Sequence, residues 1–344
     1  MTEVIRVLIV DDSAFVRKVV REMLSRSPYI EVVGAARDGA EALEMVEQLK
    51  PNVVTCDLNM PRVDGISFVR EQMKRCPVPI LVLSVASQDA ELALQTLEAG
   101  AIDFVQKPTA LASDDLLRIR EELVEKVKAA AQATRVRVVE VAKAAANPVF
   151  VAPRQYKFDV VVIGISTGGP QALRAFLPRI PENFPVPVLV VLHMPVGFTA
   201  LFAEKLNDIC ALNVKEAADG DPVLPGHALI AQAGRHLIVS RTSEGVVAHL
   251  TRQPAELLHR PSVDVLFQSA AQVYGERVLG VVMTGMGSDG RDGAAWIKAQ
   301  GGSILTEAEE SCVIYGMPRS VIEAGLSDGA IPLDGMAQAI INRL

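Results

Sequence analysis

The stretch Asp159-Val-Val-Val-Ile-Gly-Ile-Ser-Thr-Gly-Gly-Pro170 decides how the C-terminal half of this chain folds. Asp159 to Ile163 is a short, mainly apolar and β-branched run, which is typical of a strand buried on both faces. The glycines that follow permit a tight turn, and Pro170 suits the first turn of a helix. Ser166 is therefore predicted to lie at a strand–turn–helix corner, where main-chain N–H groups stabilise negative charge.

Three interpretations of this corner remain open from the motif alone. Gly-Ile-Ser-Thr-Gly fits the nucleophile elbow of an α/β-hydrolase. The same glycines fit a loose phosphate-binding loop. A Gly-rich turn without any chemistry fits at least as well as either. The rest of the chain has to decide among the three.

Residues 1–110 alternate short apolar runs with amphipathic segments. This rhythm predicts a doubly wound, five-stranded parallel sheet, in which functional residues lie at the carboxyl ends of the strands. The predicted strands are 5–10, 31–35, 52–56, 79–83 and 102–105, and the predicted helices are 14–27, 39–49, 65–75 and 89–99.

The carboxyl ends of these strands hold the residues of a phosphoryl-transfer site. Asp11 and Asp12 follow the first strand, Asp57 the third, Ser84 the fourth and Lys107 the fifth. Converging carboxylates repel one another without a cation, and oxygen ligands of this kind suit Mg²⁺. Lysine neutralises a transferred phosphoryl group, and the hydroxyl bonds to it. Asp57 is then the predicted nucleophile, forming an aspartyl phosphate.

On these residues the N-terminal part, about residues 4–130, resembles the receiver domain of two-component systems. The matching segments are Val10-Asp-Asp-Ser, Cys56-Asp-Leu-Asn-Met-Pro-Arg-Val-Asp-Gly65, Ser84 and Phe104-Val-Gln-Lys-Pro108. The resemblance implies that a histidine kinase phosphorylates Asp57. It also implies that Mg²⁺ is held by Asp12, Asp57 and the Asn59 backbone, with Asp11 in support. The family's switch hydroxyl and switch aromatic match Ser84 and Phe104.

The predicted organisation is a receiver domain at 1–130, a linker at 131–156 and a catalytic domain at 157–344. Ser113 and Asp114 are the predicted cap of a helix over 116–128. After it the apolar rhythm weakens into a stretch rich in Ala, Val and basic residues, which is typical of an extended or mobile linker. Part of 138–146 is compatible with a helix.

The second domain is predicted to be α/β as well, with a mostly parallel sheet and an antiparallel hairpin insertion. Turn signals between short apolar runs favour antiparallel strands across 214–252. The other predicted strands are 159–163, 187–192, 277–283 and 303–306, and the predicted helices are 171–177, 198–210, 263–274 (capped by Ser262), 293–300, 317–324 and 335–344.

Three of the parallel strands are each followed by a residue type of a hydrolytic triad, namely Ser166, His193 and Asp289. A parallel sheet places them at the same edge, which gives a nucleophile, a base and a carboxylate that orients the base. Gly-rich turns around Ser166 and Met286 offer N–H groups for an oxyanion hole. The order Ser…His…Asp disfavours an α/β-hydrolase. The acidic residue of a dinucleotide loop is missing.

Nearly the whole chain, apart from the linker, resembles the chemotaxis response regulators that act as protein-glutamate methylesterases and glutamine deamidases. The resemblance rests on Gly164-Ile-Ser-Thr-Gly-Gly-Pro170, Leu192-His-Met-Pro195, Asp219-Gly-Asp-Pro, Arg260-Pro-Ser-Val-Asp264, Thr284-Gly-Met-Gly-Ser-Asp-Gly290 and Tyr315-Gly-Met-Pro318. It implies that Ser166 attacks a glutamyl methyl ester of a chemoreceptor, that His193 transfers the proton, and that Asp289 orients His193. Thr167 and the Met286 backbone match site-lining positions, and no cofactor is implied there.

Two positions depart from the family pattern, and the other histidines have no predicted role. Leu192 replaces the usual Gln, and Gln232-Ala-Gly replaces a Pro-Gly-Gly type of turn, so substrate contacts or local rigidity are expected to differ there. The remaining histidines are interpreted as turn, strand or surface residues without metal-ligand spacing, and they are His227, His236, His249 and His259.

Composition limits the remaining alternatives. No apolar run reaches the roughly 18 residues of a membrane span and the N-terminus is not a signal peptide, so we expect no membrane insertion. Four cysteines without a CxxC pair suit the reducing cytoplasm.

A response regulator with a nucleic-acid-binding output is the main alternative. A nucleic-acid-binding domain should be basic, but residues 158–344 carry 13 Lys and Arg against 19 Asp and Glu. A nucleotide-dependent oxidoreductase and the same hydrolysis in another chemosensory pathway are further alternatives.

Overall fold

The computed structural model describes residues 4–84, 90–107, 113–132 and 156–344. The chain forms two compact units, Met1–Val139 and Glu140–Leu344. Most of the predicted linker, including the helical option at 138–146, lies outside the described residues, as do the side chains of Ser113 and Asp114. The boundaries at 130 and 156 therefore stay predictions.

The N-terminal unit confirms the doubly wound fold. Its five strands form one parallel sheet in the order β2-β1-β3-β4-β5. Every residue of β3 and β4 is buried, because helices cover both faces of the sheet. The elements are β1 (Ile5–Val10), α1 (Ala14–Leu24), β2 (Ile30–Ala36), α2 (Gly39–Leu49), β3 (Val53–Asp57), α3 (Gly65–Arg75), β4 (Ile80–Ser84), α4 (Ala90–Glu98), β5 (Asp103–Gln106) and α5 (Ser113–Ala131).

The C-terminal unit is built on a seven-stranded parallel sheet in the order β14-β13-β12-β6-β7-β9-β8, with a separate β10–β11 hairpin. Its elements are β6 (Val160–Ile165), α6 (Gly169–Phe176), β7 (Val188–Leu192), α7 (Thr199–Asn207), β8 (Asn213–Glu216), β9 (His227–Ile230), β10 (His236–Thr242), β11 (Gly245–Thr251), α8 (Val263–Tyr274), β12 (Val278–Val282), α9 (Arg291–Ala299), β13 (Ser303–Glu307), α10 (Met317–Glu323), β14 (Ala330–Ile331) and α11 (Leu333–Arg343).

The prediction of antiparallel strands across 214–252 is only partly right. β10 and β11 do form an antiparallel hairpin, closed by the pairing of Thr242 with Gly245. β8 and β9 instead pair parallel to each other, and β9 pairs parallel to β7. The turn residues in 217–226, between β8 and β9, indicated that the chain reverses. This connection is long enough for the chain to reverse a second time, so that β9 pairs parallel to β8. The two-residue β14 was not predicted, since so short a strand leaves no periodic pattern.

The central strand β6 lies between β12 and β7, all three of which are fully buried. From β6 the chain continues to β7, β8 and β9 on one side of the sheet and later returns to β12 on the other side, which makes the carboxyl end of β6 the crevice where ligands bind in open α/β sheets. Among the residues that the structure describes, no helix is both long and apolar enough to cross a bilayer.

Candidate functional sites

The N-terminal unit brings its three acidic residues together at the predicted edge. Carboxylate oxygens of Asp11, Asp12 and Asp57 lie within 4.8 Å of one another. Lys107 Nζ lies 2.7 Å from Asp57 Oδ1 and 3.0 Å from Asp11 Oδ2. Burial raises the pKa of Asp57 above its usual value, although the contact with Lys107 opposes the rise. Lys107 thus supplies one positive charge, which is less than the negative charge that the three carboxylates carry when ionised.

The donor set fits a magnesium ion. Asp57 Oδ1 also accepts the Leu58 N–H at 2.6 Å, and Asp11 Oδ1 accepts the Ser13 N–H at 2.9 Å. The main chain therefore orients both carboxylates, and further oxygens remain for a hard cation, which prefers such ligands. Ser84 Oγ is buried and has no hydrogen-bond partner within the described residues. An unsatisfied buried hydroxyl beside these carboxylates fits an incoming phosphoryl oxygen.

The resemblance also predicts roles for Asn59 and Phe104, which lie in surroundings of different burial. Asn59 is exposed two residues after Asp57, and its role as a main-chain metal ligand stays a prediction. Phe104 is buried in β5, where Lys126 Nζ donates to its carbonyl oxygen at 2.7 Å and lies 5.8 Å from the ring centroid. Its role as a switch aromatic also stays a prediction.

Replacing Lys107 with methionine is expected to destabilise the N-terminal unit. The change leaves buried carboxylates without their cation, and breaking a buried pair in this way costs about 3 kcal/mol. Added Mg²⁺ should restore part of the loss, because it binds the folded cluster. Denaturant unfolding with and without Mg²⁺ measures both effects. Lys18→Met, at an exposed ion pair, is the control and should change little. Equal losses in the two variants would contradict a buried ionic cluster.

In the C-terminal unit Ser166 lies immediately after β6, at the predicted corner. Its N–H donates to Thr284 O at 2.9 Å, and Thr284 Oγ1 donates to Thr167 O at 3.0 Å. Gly168 has a φ of 79°, a conformation that favours glycine. A Cβ on Gly285 would come 2.7 Å from Ser166 Cβ, so glycine is needed for this close approach. The corner is therefore fixed by its own turn and by the segment after β12.

The structure brings Ser166, His193 and Asp289 into one chain of contacts. His193 Nδ1 lies 3.1 Å from Ser166 Oγ, and His193 Nε2 lies 2.8 Å from Asp289 Oδ2. A carboxylate accepts hydrogen bonds, so the ring is protonated on Nε2 and its Nδ1 lone pair faces the serine hydroxyl. In chymotrypsin the histidine faces the serine with Nε2 and the aspartate with Nδ1, so the two ring nitrogens of His193 are placed in the opposite sense.

The N-terminus of α8 fixes the carboxylate of Asp289. Ser262 Oγ donates to Oδ1 at 2.9 Å, Val263 N–H to Oδ2 at 2.8 Å and Asp264 N–H to Oδ1 at 3.0 Å. Burial alone would raise the pKa of Asp289, but the hydrogen bond and charge of His193, together with these amides, hold it well below its usual range. Asp289 is thus a fixed anion beside the imidazole. Ser262 is the predicted cap residue, yet its hydroxyl bonds this carboxylate rather than its own helix.

His259 is a site residue that the sequence did not reveal. Its ring stacks on that of His193, with centroids 4.1 Å apart and an interplanar angle of 15°. His236, at the start of β10, is fully buried, and its Nδ1 accepts the Ser262 N–H at 3.2 Å. The position of His259 beside the Arg260-Pro-Ser-Val-Asp264 motif was the available signal, because that motif supplies the partners of Asp289.

The remaining predicted positions surround this centre. Thr167 is buried beside Ser166, whereas Met286 is half-buried and its N–H has no protein acceptor within the described residues. Leu192 is fully buried and lies against Gly169, so this departure changes packing rather than a side-chain contact with substrate. Gln232 Nε2 lies 3.3 Å from Glu216 Oε2, which ties the other departure to β8.

Comparison with known families agrees with this division of the chain. A family model described as CheB methylesterase matches residues 161–340, and one described as response regulator receiver domain matches residues 7–119. The solved structure of the CheB methylesterase catalytic domain from Thermotoga maritima is 41% identical, with a TM-score of 0.53, and covers 54% of this chain and 99% of that chain.

Curated relatives match almost the whole chain. Protein-glutamate methylesterase/protein-glutamine glutaminase 5 of Myxococcus xanthus is 48% identical over 96% of this chain and 96% of its own length. The relative with the same general name in Symbiobacterium thermophilum is 46% identical over 98% of this chain and 96% of its own, and the one in Pyrococcus abyssi is 41% identical over 98% and 93%. The similarity to these relatives therefore extends over both units of this chain.

Proposed function

The chain belongs to the CheB methylesterase family, with a receiver domain ahead of its esterase domain, and from this premise we propose that it is a phosphorylation-regulated serine hydrolase of chemotaxis adaptation. It demethylates glutamyl methyl esters on chemoreceptors, releasing methanol, and deamidates selected receptor glutamines, releasing ammonia. The observation that carries the proposal is the contact chain from Ser166 through His193 to Asp289 at one edge of the sheet.

The hydrolysis begins with Ser166 Oγ as the nucleophile. His193 Nδ1 accepts the hydroxyl proton while Oγ attacks the ester carbonyl carbon. The imidazolium that forms is stabilised by Asp289, whose low pKa keeps it ionised throughout. The carbonyl oxygen becomes an oxyanion, and the Met286 N–H is a donor for it beside Ser166, with Thr167 lining the same site. Collapse expels methanol, which takes the proton from His193.

The acyl enzyme is then hydrolysed by the same groups. His193 Nδ1 accepts a proton from water as the water oxygen attacks the acyl carbon, and Ser166 Oγ leaves with that proton. The product is a glutamate side chain. A primary amide substrate follows the same course, except that ammonia leaves in the first stage, which accounts for a glutaminase activity at one site.

The receiver domain provides the regulation. A histidine kinase of the chemotaxis pathway donates a phosphoryl group to Asp57, whose carboxylate is held for attack by Leu58 N–H and Lys107. Asp12, Asp57 and the Asn59 backbone, with Asp11 in support, would hold Mg²⁺, which would supply positive charge to neutralise the phosphoryl group. Lys107 and Ser84 bind the transferred oxygens, and Phe104 responds to the change at Ser84. The chain thus acts in the cytoplasm on receptor segments that face it.

Membership in this family favours a hydrolase over a nucleic-acid-binding output. The decisive experiment measures methanol release from methylated chemoreceptors by the full chain, with and without a small phosphodonor and Mg²⁺. We expect release in both cases and a faster rate with the phosphodonor. Absence of release under all conditions, together with retardation of DNA at low salt, would overturn the proposal.

Replacing His259 with alanine is expected to slow methanol release between about 2- and 13-fold. The reason is that a stacked aromatic pair contributes about 0.5–1.5 kcal/mol, which here stabilises the orientation of the His193 ring. The KM should change little, since the stack orients the base rather than the substrate. His259→Phe keeps the stack and should recover most of the rate. His227→Ala, at a histidine whose Nδ1 lies 3.0 Å from Pro225 O, is the control. An alanine variant as fast as this control would contradict the role.

A further inference from the structure

The Arg260-Pro-Ser-Val-Asp264 motif contains a carboxylate that the hydrolytic mechanism above does not use. Asp264 Oδ1 accepts the N–H of Gly290 at 2.8 Å and that of Gly293 at 2.6 Å. Gly290 is the N-cap of α9 and Gly293 lies in its first turn, and this helix begins two residues after Asp289. The side chain of Asp264 therefore fixes the main chain that carries Asp289.

The arrangement between the two helices is reciprocal. Asp289, just before α9, accepts N–H groups at the start of α8, and Asp264, at the start of α8, accepts N–H groups at the start of α9. Each carboxylate lies at the positive end of the other's helix. Glycine permits the close packing, because a Cβ on Gly293 would come 2.9 Å from Asp264 Cα. Moving either carboxylate would displace the other.

We propose that Asp264 is a positioning residue of the esterase: it ties the first turns of α8 and α9 together, holds Asp289 against His193, and acts with its charge on His193 through Asp289. This inference rests on the proposed function. Within the described residues, Asp264 has no contact with Ser166 or His193, so it does not take part in bond making. It sets the geometry and basicity of the groups that do.

The electrostatics of the pair support this role. Burial, followed by the charge of Asp289, raises the pKa of Asp264 to about 7. Asp264 therefore loses its proton near the pH at which histidine does, and its negative charge then favours the imidazolium of His193. The charged and titratable groups around the pair are Asp289 before α9, Arg291 in α9, His236 in β10, Arg260 before α8, and His193 with His259 stacked on it.

The test compares Asp264→Asn, Asp264→Ala and the control Asp292→Asn in the full chain. Asn keeps an acceptor for the α9 amides but removes the charge, whereas Ala removes both. Asp292 is an exposed acidic residue in the same first turn of α9, and its contact is with Arg291. For Ala we expect a fall in kcat on the order of 10- to 100-fold with little change in KM, because a small displacement of Asp289 misaligns the base.

For Asp264→Asn we expect a near-normal melting temperature and a changed pH profile. The acid limb of the kcat/KM profile should move to lower pH by about half a unit, because the negative charge that favours the imidazolium of His193 is gone. The limb should also become steeper, because a second, coupled protonation no longer broadens it. Asp292→Asn should leave the limb in place. The His193 imidazole pKa, measured by NMR titration, should fall in parallel. That readout needs no ester substrate, so it tests this inference even if methanol release fails. An unmoved His193 pKa and limb in Asp264→Asn, together with a normal kcat in Asp264→Ala, would overturn it.

Discussion

The Ser166→Ala variant is expected to release methanol at least about 10⁴-fold more slowly than the unaltered chain, because removal of the nucleophile of a triad abolishes the acyl-enzyme route. The variant should fold normally. Ser166 is half-buried, and the contacts that fix the corner come from its main chain, whose N–H bonds Thr284 O and whose carbonyl oxygen accepts the Gly169 N–H at 2.7 Å. Methanol release from methylated receptors with phosphodonor present gives the rate.

The triad can be tested as a unit by comparing single and double variants. Since Ser166 and His193 act in one proton transfer, the double alanine variant should be no slower than the slower of the two single variants. Losses that multiply would indicate two independent functions. Ser243→Ala, in the exposed turn of the β10–β11 hairpin, is the control and should retain full activity. Release that persists in Ser166→Ala would refute the assigned nucleophile.

The Asp57→Asn variant is expected to lose phosphorylation completely, and its methanol release should be equal with and without phosphodonor. An amide cannot form the acyl phosphate, and the other carboxylates have different surroundings: Asp11 is fully buried, and Asp12 is exposed. The mass of the intact chain after treatment with phosphodonor and Mg²⁺ measures phosphorylation directly. The esterase residues lie in the other unit, so release without phosphodonor should persist.

Asp64→Asn is the matched control for this second result. Asp64 caps α3 by accepting the Ser67 N–H at 2.7 Å, and asparagine caps a helix equally well. The control should therefore take up the phosphoryl group and respond to it as the unaltered chain does. A phosphodonor response in Asp57→Asn would mean that another residue accepts the phosphoryl group.

The parts of the sites that lie at strand ends were predictable from sequence. Asp57 and Lys107 each follow a short apolar run, and a parallel sheet has one carboxyl edge, so their meeting follows from the fold. The same argument brought Ser166 and His193 together. Asp289 lies seven residues beyond β12, and it was predicted to meet them because it follows a third strand of the same parallel sheet.

The parts that depend on loops were not predictable. His259 lies in a segment without helical or strand periodicity, and its place beside the Arg260-Pro-Ser-Val-Asp264 motif does not locate its ring on His193. The cap prediction for Ser262 gave the position but not the partner, because a hydroxyl at a helix N-terminus bonds either its own helix or a neighbouring acceptor. The parallel pairing of β8 and β9 escaped prediction because turn residues mark the end of a strand, not the direction of the next one.

The pairing of β6 with β12 has a consequence for how this enzyme comes into being. Arg277 and Asp159, which directly precede these strands, form an ion pair across 118 positions of sequence. Contacts between such distant segments form slowly, because a long loop must close before they stabilise anything. A nascent chain that ends before β12 contains Ser166 and His193 but lacks Asp289, the carboxylate proposed to orient the histidine. With the proposed mechanism, hydrolysis therefore begins only after the chain has been synthesised beyond Asp289 and has folded.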